Sequence, residues 1–228
     1  MNDVLERLRP LFFPRGIVMT GVASHPGKFG AVAFHNLLRF GYRGAVFPIK
    51  PDGAEVLGRP TLRDVSDVPQ GAADLAFLCT PAKLNVELLR ACAARGVRAA
   101  YVASGGYGEA GDEGAQLERE LVRCTAELGL VLAGPNGQGL VSTAVSMCAQ
   151  ITAPYPPPGA ISLVSQSGNI GSSFMNYGCM TGVGYAKAVS AGNAAQLGLA
   201  DFVEYFAADP DTRVTLAYME GVADGRRF

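Results

Sequence analysis

The chain has 228 residues, with 19 Lys and Arg against 20 Asp and Glu. That length holds one large α/β domain or two small ones around a buried core, and the balanced charge provides no field that would concentrate nucleic acid or an anionic membrane. No basic and then apolar leader and no apolar run of ~18 residues occurs, so the expectation is a cytoplasmic protein with neither nucleic acid nor membrane as partner.

Short apolar runs alternate with amphipathic segments, the pattern of βαβ units and a mostly parallel sheet with helices on its faces. Strands are predicted at residues 16–22, 45–49, 74–79, 98–103 and 130–133, and helices at 30–40, 82–95 and 112–128. In the last of these, Leu117, Leu121 and Leu128 recur at helical spacing opposite the polar Glu118, Arg119 and Glu120, and Gly129 is placed to stop the helix. Four prolines in residues 154–158 remove backbone donors and break regular structure. They suggest a domain boundary, with one domain at 1–150 and a second at 151–228. The second shows strands at 160–165, 184–190 and 212–218 and helices at 168–180 and 198–208. The chain stops at Phe228, where a new helix would begin, which suggests a fragment or one subunit of a larger machine. Five cysteines without a C-x-x-C pair read as buried, reduced thiols, and no metal site is expected.

The segment GVASHPGKFG (21–30) joins the first strand to the first helix. Its glycines let backbone approach a phosphate, and the helix start supplies free N–H groups. The spacing is not G-x-G-x-x-G, and it fails the P-loop pattern because Lys28 is followed by Phe29, which argues against a nucleoside triphosphatase. A tight βα turn without ligand is the alternative. The second strand sharpens the choice: NAD-binding folds place an acidic residue near its end, whereas FPIKP (47–51) presents Lys50. A cation there suits a phosphorylated ribose, found in NADP and in coenzyme A; otherwise it is a solvated lysine. SQSGN (165–169) is a second strand-to-helix turn, either an anion site or a capped helix end.

These segments, with LCTPA (78–82), VASGGYGEAG (102–111), GPNGQGL (134–140), LVSQSGNIGSSF (163–174), SAGNAAQLG (190–198) and DPDTRVTLAYMEGVADGRRF (209–228), carry a resemblance. In order and over nearly the whole chain, they resemble the coenzyme A-binding portion of the NDP-forming acyl-CoA synthetases. That superfamily includes ADP-forming acetyl-CoA synthetase and the α subunit of succinyl-CoA synthetase. The resemblance implies an α/β fold, a Rossmann-like CoA-binding domain followed by a partial flavodoxin-like (succinyl-CoA ligase-like) domain. It also implies a coenzyme A groove lined by Ser24, His25, Pro26, Lys28, Phe29, Gly30, Pro48, Lys50, Pro51, Thr80, Pro81, Ala82, Ser104, Gly105 and Asn136. These residues follow successive strands, where open α/β sheets bind ligands.

In the resembling enzymes the helix start matching Ser165, Ser167 and Gly168 holds the phosphate of a phosphohistidine, and a glutamate matching Glu220 steadies the imidazole. A helix dipole favours the phosphoryl charge, and a carboxylate orients a His ring. The family's phosphohistidine lies downstream of Phe228. His25 falls in the coenzyme A loop, and His35, on a helix between Phe34 and Leu38, reads as a satisfied structural imidazole, so neither is assigned the relay. Two departures stand out. The family commonly has Cys and Leu where this chain has Gly137 and Gln138, and an acidic residue where it has Gln196.

The implied function is the CoA-binding α-type portion of a ligase that makes acyl-CoA from acid, nucleoside triphosphate and coenzyme A through an acyl phosphate and a phosphohistidine. Alone it would be incompetent: ATP or GTP with magnesium would be bound by an ATP-grasp domain or subunit outside this sequence. Coenzyme A or acyl-CoA is the small-molecule partner, and homo-oligomer formation is compatible with this reading. The alternative is a regulatory CoA-binding module of a protein acetyltransferase. An NADP-dependent oxidoreductase is disfavoured, since no Tyr-x-x-x-Lys pair stands out.

Overall fold

The computed structural model describes residues 3–222 and 224–228. It opens with a helix that the sequence reading did not anticipate, α1 (Asp3–Phe12), before the expected alternation begins. There follow β1 (Gly16–Thr20), α2 (Phe29–Arg39), β2 (Ala45–Pro48), β3 (Leu75–Leu78), α3 (Ala82–Ala94), β4 (Ala99–Val102), α4 (Asp112–Glu127) and β5 (Val131–Ala133). The five strands are parallel in the order β2-β1-β3-β4-β5. Helices cover both faces, so β1, β3 and β4 are buried throughout and read as continuous apolar runs. The strand order reverses between β1 and β3, which opens a crevice beyond their carboxyl ends.

The second sheet comprises β6 (Gly139–Ser142), β7 (Met147–Gln150), β8 (Pro158–Ser165), β9 (Tyr185–Ser190) and β10 (Val214–Tyr218), with α5 (Gly168–Thr181) after β8 and α6 (Leu199–Ala208) after β9. Its order is β10-β8-β9-β6-β7. Strands β8, β9 and β10 are parallel, and the antiparallel β6–β7 hairpin extends the sheet beyond β9. Sheet membership therefore changes between Ala133 and Gly139. A division at residue 150 would cut through the second sheet, because the proline run connects β7 to β8 within it. Proline ends a strand by removing a donor; it does not determine which sheet the next strand joins.

One core spans both sheets. Phe12 of α1 stacks on Tyr205 at 4.9 Å and meets Phe202 edge-on at 6.4 Å, both on α6. The same apolar cluster takes Met19, Phe77 and Tyr101 from the first sheet and Leu140, Met147 and Val189 from the second. Asn36 of α2 donates to the carbonyls of Gln150 and Thr152 at 2.9 and 2.7 Å. Lys187, fully buried on β9, is paired with Asp209 at 2.6 Å and lies over the Phe13 ring. The Cys92, Cys124 and Cys148 side chains are buried and Cys79 is half-buried, but Cys179 is exposed on the outer face of α5, contrary to its expected burial. Among the described residues no helix is long and apolar enough to cross a membrane.

Candidate functional site

The loop after β1 is shaped by two glycines. Gly21 has φ +71°, and a Cβ there would lie 2.6 Å from the Cys79 carbonyl carbon; one on Gly30 would lie 2.1 Å from the Gly21 oxygen. The absence of both side chains lets the loop cross the end of β3 while α2 begins directly beside it. Residues Ser24, His25, Pro26, Lys28 and Phe29 are exposed on this loop and Gly30 is buried under it. His25 Nδ1 accepts the Gly27 amide at 3.1 Å and so braces the turn. The start of α2 has no side-chain cap, which leaves a helix N-terminus open to an anion.

The end of β2 is turned back by a parallel bridge between Ile49 and Leu62. Pro48 is buried and Pro51 exposed. The Lys50 ammonium is paired with Asp52. That hydrogen bond, together with one from the Ala54 amide, holds the Asp52 carboxyl below its usual range.

Beyond β3 and β4 a chain of hydrogen bonds links residues that the sequence separates. Thr80 Oγ1 donates to Asn85 Oδ1 at 2.7 Å, so the 2.9 Å contact between Thr20 and Thr80 hydroxyls uses the Thr20 proton. Asn85 Nδ2 donates to Ser104 Oγ at 3.1 Å and to the Tyr107 hydroxyl at 2.7 Å. Thr80 and Ser104, both expected in the groove, are thus oriented by Asn85 and Tyr107, which sequence reasoning missed. Burial pushes the Tyr107 hydroxyl pKa up to about 12. Pro81 caps α3 and Ala82 opens it. Gly105 is exposed, and a side chain there would meet Glu109 and Asn136. The Asn136 amide donates to the Ser104 carbonyl at 3.1 Å. The structure therefore places all the expected groove residues along the carboxyl edge of one sheet.

The second candidate site lies where β8 meets α5. Ser165 Oγ donates to the Ser167 carbonyl at 2.6 Å, and Ser167 Oγ accepts the Ile170 amide at 3.4 Å. Ser167 thus caps the helix, and Ser165 fastens the turn before it. Gln138 lies across the first turn of α5: it packs on Gly168, donates to Asn169 Oδ1 at 3.1 Å and accepts the Ser172 hydroxyl. Glu220 is exposed, and its backbone amide donates to Gln166 Oε1 at 2.6 Å, which ties the end of β10 beside this turn. His35 is exposed, which corrects its reading as a satisfied structural imidazole: Phe34 and Asn36 take the buried positions on α2 and leave it on the solvent side.

The β9–α6 loop joins the two sites. Asn193 donates to Glu109 Oε2 at 2.6 Å and to Glu118 Oε2 at 2.7 Å, and accepts from Asn136 at 3.2 Å. Gln196 accepts the Leu132 amide at 2.7 Å and donates to Thr125 at 3.1 Å. This loop also borders a cleft of about 590 Å³ whose walls include Gln166, Asp201 and Arg227.

A parallel sheet with a glycine-shaped turn, an open helix N-terminus and a lysine after the second strand defines an α/β protein of the nucleotide-cofactor-binding class. Residues 15–142, more than half of the chain, match the family model described as CoA binding domain, and residues 158–228 match the succinyl-CoA ligase like flavodoxin domain. The chain belongs to the CoA-binding-domain family, and the expected fold, Rossmann-like and then flavodoxin-like, is borne out.

Over 218 residues it is 40% identical to acetate–CoA ligase [ADP-forming] I of Archaeoglobus fulgidus, covering 96% of this chain and 31% of that protein. It is 36% identical over 225 residues to acetate–CoA ligase [ADP-forming] I subunit alpha of Pyrococcus furiosus, covering 97% of this chain and 48% of that one. Among solved structures, the dinucleotide forming acetyl-coenzyme A synthetase 1 of Ca. Korarchaeum cryptofilum, in complex with phosphate and ADP, superposes with a TM-score of 0.90. It is 35% identical, and the match covers 99% of this chain and 47% of that one. The chain thus spans a third to a half of the length of these relatives, and what it matches is the CoA-binding α portion of ADP-forming acetyl-CoA synthetases.

Proposed function

We propose that this chain is the coenzyme A-binding α-type portion of an NDP-forming acyl-CoA synthetase, which converts acid, nucleoside triphosphate and coenzyme A into acyl-CoA. The observation that carries the reading is the groove on the carboxyl edge of the first sheet. It offers a loop drawn tight against β3 and the start of α2, because a Cβ on Gly21 or Gly30 would strike backbone, together with an uncapped α2 N-terminus and cations at Lys28 and Lys50. These suit the phosphates of coenzyme A: the helix start receives the pyrophosphate and Lys50 the phosphate on the ribose. Thr80, Ser104 and Asn136 then line the path of the pantetheine arm.

At the second site the Ser165 hydroxyl gives its proton to the Ser167 carbonyl, whereas Ser167 only accepts, from the Ile170 amide, and keeps its own proton, so a phosphoryl group is received by the Ser167 hydroxyl, the Gly168 and Asn169 amides and the α5 dipole. Glu220, tied beside that turn through Gln166, is placed to orient an imidazole. Hydrogen-bond donors stabilise a phosphoryl group without generating one. An ATP-grasp domain or subunit, holding ATP or GTP with magnesium, supplies it. The named relatives are ligases, which favours this reading over a regulatory acetyltransferase module.

Calorimetry of the chain with coenzyme A and with NADPH tests the groove; coenzyme A is expected to bind and NADPH not to compete. Binding of NADPH without coenzyme A would overturn the assignment. Incubation with ATP or GTP, magnesium, coenzyme A and short, branched and aromatic acids is expected to yield no thioester by mass spectrometry. Robust product from this chain, abolished by His25→Ala, would show that the relay has been misplaced.

A further inference from the structure

The Lys50 ammonium already has a partner. Residues 50–53 form a turn in which the Gly53 amide donates to the Lys50 carbonyl at 2.8 Å, with Gly53 at φ +69°. Asp52 is fixed within that turn, because its Oδ1 accepts the Ala54 amide at 2.9 Å while its Oδ2 takes the ammonium. The bridge between Ile49 and Leu62 returns the chain to the same place and brings Arg63 over Gly53, its Nε 3.0 Å from where a Cβ would sit. Arg63 is exposed and makes no ion pair within 4 Å among the described residues. Two cations and one carboxylate therefore share the turn at the edge of the groove.

We propose, on the coenzyme A reading given above, that Arg63 joins Lys50 in a subsite for a phosphate monoester borne on a ribose, and that Asp52 is an internal anion which this phosphate displaces from Lys50. A phosphate monoester carries about −1.5 to −2 charges near neutrality and three acceptor oxygens. It can replace the single carboxylate at Lys50 and engage the Arg63 fork as well. A ribose with only hydroxyls brings no competing anion and leaves the Lys50–Asp52 pair intact. The turn thus selects a phosphorylated ribose and gives little to an unphosphorylated one. A carboxylate that instead accepted ribose hydroxyls, as in NAD-binding folds, would make the opposite prediction for Asp52.

The test is titration of the chain and two variants with coenzyme A and with its 3′-dephospho form. Arg63→Gln is expected to weaken coenzyme A about tenfold and to leave the dephospho form unchanged. Asp52→Asn keeps the acceptor for Ala54, and is expected to tighten coenzyme A about threefold with the dephospho form again unchanged. Arg63→Gln acting on neither ligand, or equally on both, overturns the proposal, as does weaker coenzyme A binding by Asp52→Asn. If the unsubstituted chain binds both ligands equally, the phosphate subsite alone fails. If it binds neither, the coenzyme A reading itself is wrong.

Discussion

Asp74 is buried at the foot of β3 and is nevertheless held as a carboxylate. Burial alone would raise its pKa, but the Arg15 guanidinium donates at 2.9 and 2.8 Å, the Arg15 amide at 2.8 Å and Arg98 at 3.3 Å, and together these hold it below the usual carboxylate range. A carboxyl whose pKa is lower in the folded state contributes stability above its unfolded value of about 3.9, and that contribution is lost as pH falls through the folded value. Asp74→Asn is therefore expected to cost about 1–3 kcal/mol at pH 7, and the deficit should shrink as pH falls below about 4. Urea denaturation across that range checks the sign. A deficit that did not change with pH would mean that the charge on Asp74 is not what stabilises.

Residues of the site differed in how readily the sequence exposed them. Thr80 and Ser104 were expected from the family motifs LCTPA and VASGG, and each follows a buried strand, in agreement with that expectation. Asn85 and Tyr107 carry no such mark: one is a polar residue on a helix and the other a tyrosine in a loop, and only the packing of α3 beside the β4–α4 loop joins them. Gln138 and Gln196 stood out as departures from a family pattern, but their partners, Asn169 and Leu132, lie 31 and 64 positions away.

Among the elements, α1 shows how local signals compete. Val4, Leu8, Leu11 and Phe12 are buried at helical spacing, yet Pro10 sits inside the same ten residues and argues for a break. The helix persists because Phe12 packs against three aromatic rings of α6, Phe202, Tyr205 and Phe206. Phe12→Ala is expected to cost about 3–5 kcal/mol, read as a lower urea midpoint with an unchanged slope. A loss below about 1 kcal/mol would show that α1 is dispensable to the core. The β6–β7 hairpin escaped prediction for a different reason. Its strands have four residues each, too short for alternation to declare itself, and the prolines that follow dominate the local pattern. The parallel strands were legible because burial on both faces leaves long apolar runs, although the predictions for β1, β3 and β4 extended into the glycine and small-residue turns that follow them.

At the scale of the molecule, the two candidate sites belong to different sheets, but the sheets are closely joined. The buried Tyr101 hydroxyl on β4 donates to the Ser190 carbonyl at the end of β9 and accepts the Gly139 amide at the start of β6, each at 2.7 Å. Asn193 and Gln196 add their contacts from the second sheet's loop, and α1 inserts its apolar face into the core shared by both. A fragment ending at residue 150 would keep the β6–β7 hairpin and lose β9, the strand that hairpin pairs with. Heat should therefore not melt one half ahead of the other. Scanning calorimetry is expected to show a single endotherm whose calorimetric and van't Hoff enthalpies agree, and two resolved peaks would contradict it. Although ligand recognition is apportioned between two sheets, the chain then has one melting temperature, and a ligand held by either sheet raises it for the whole.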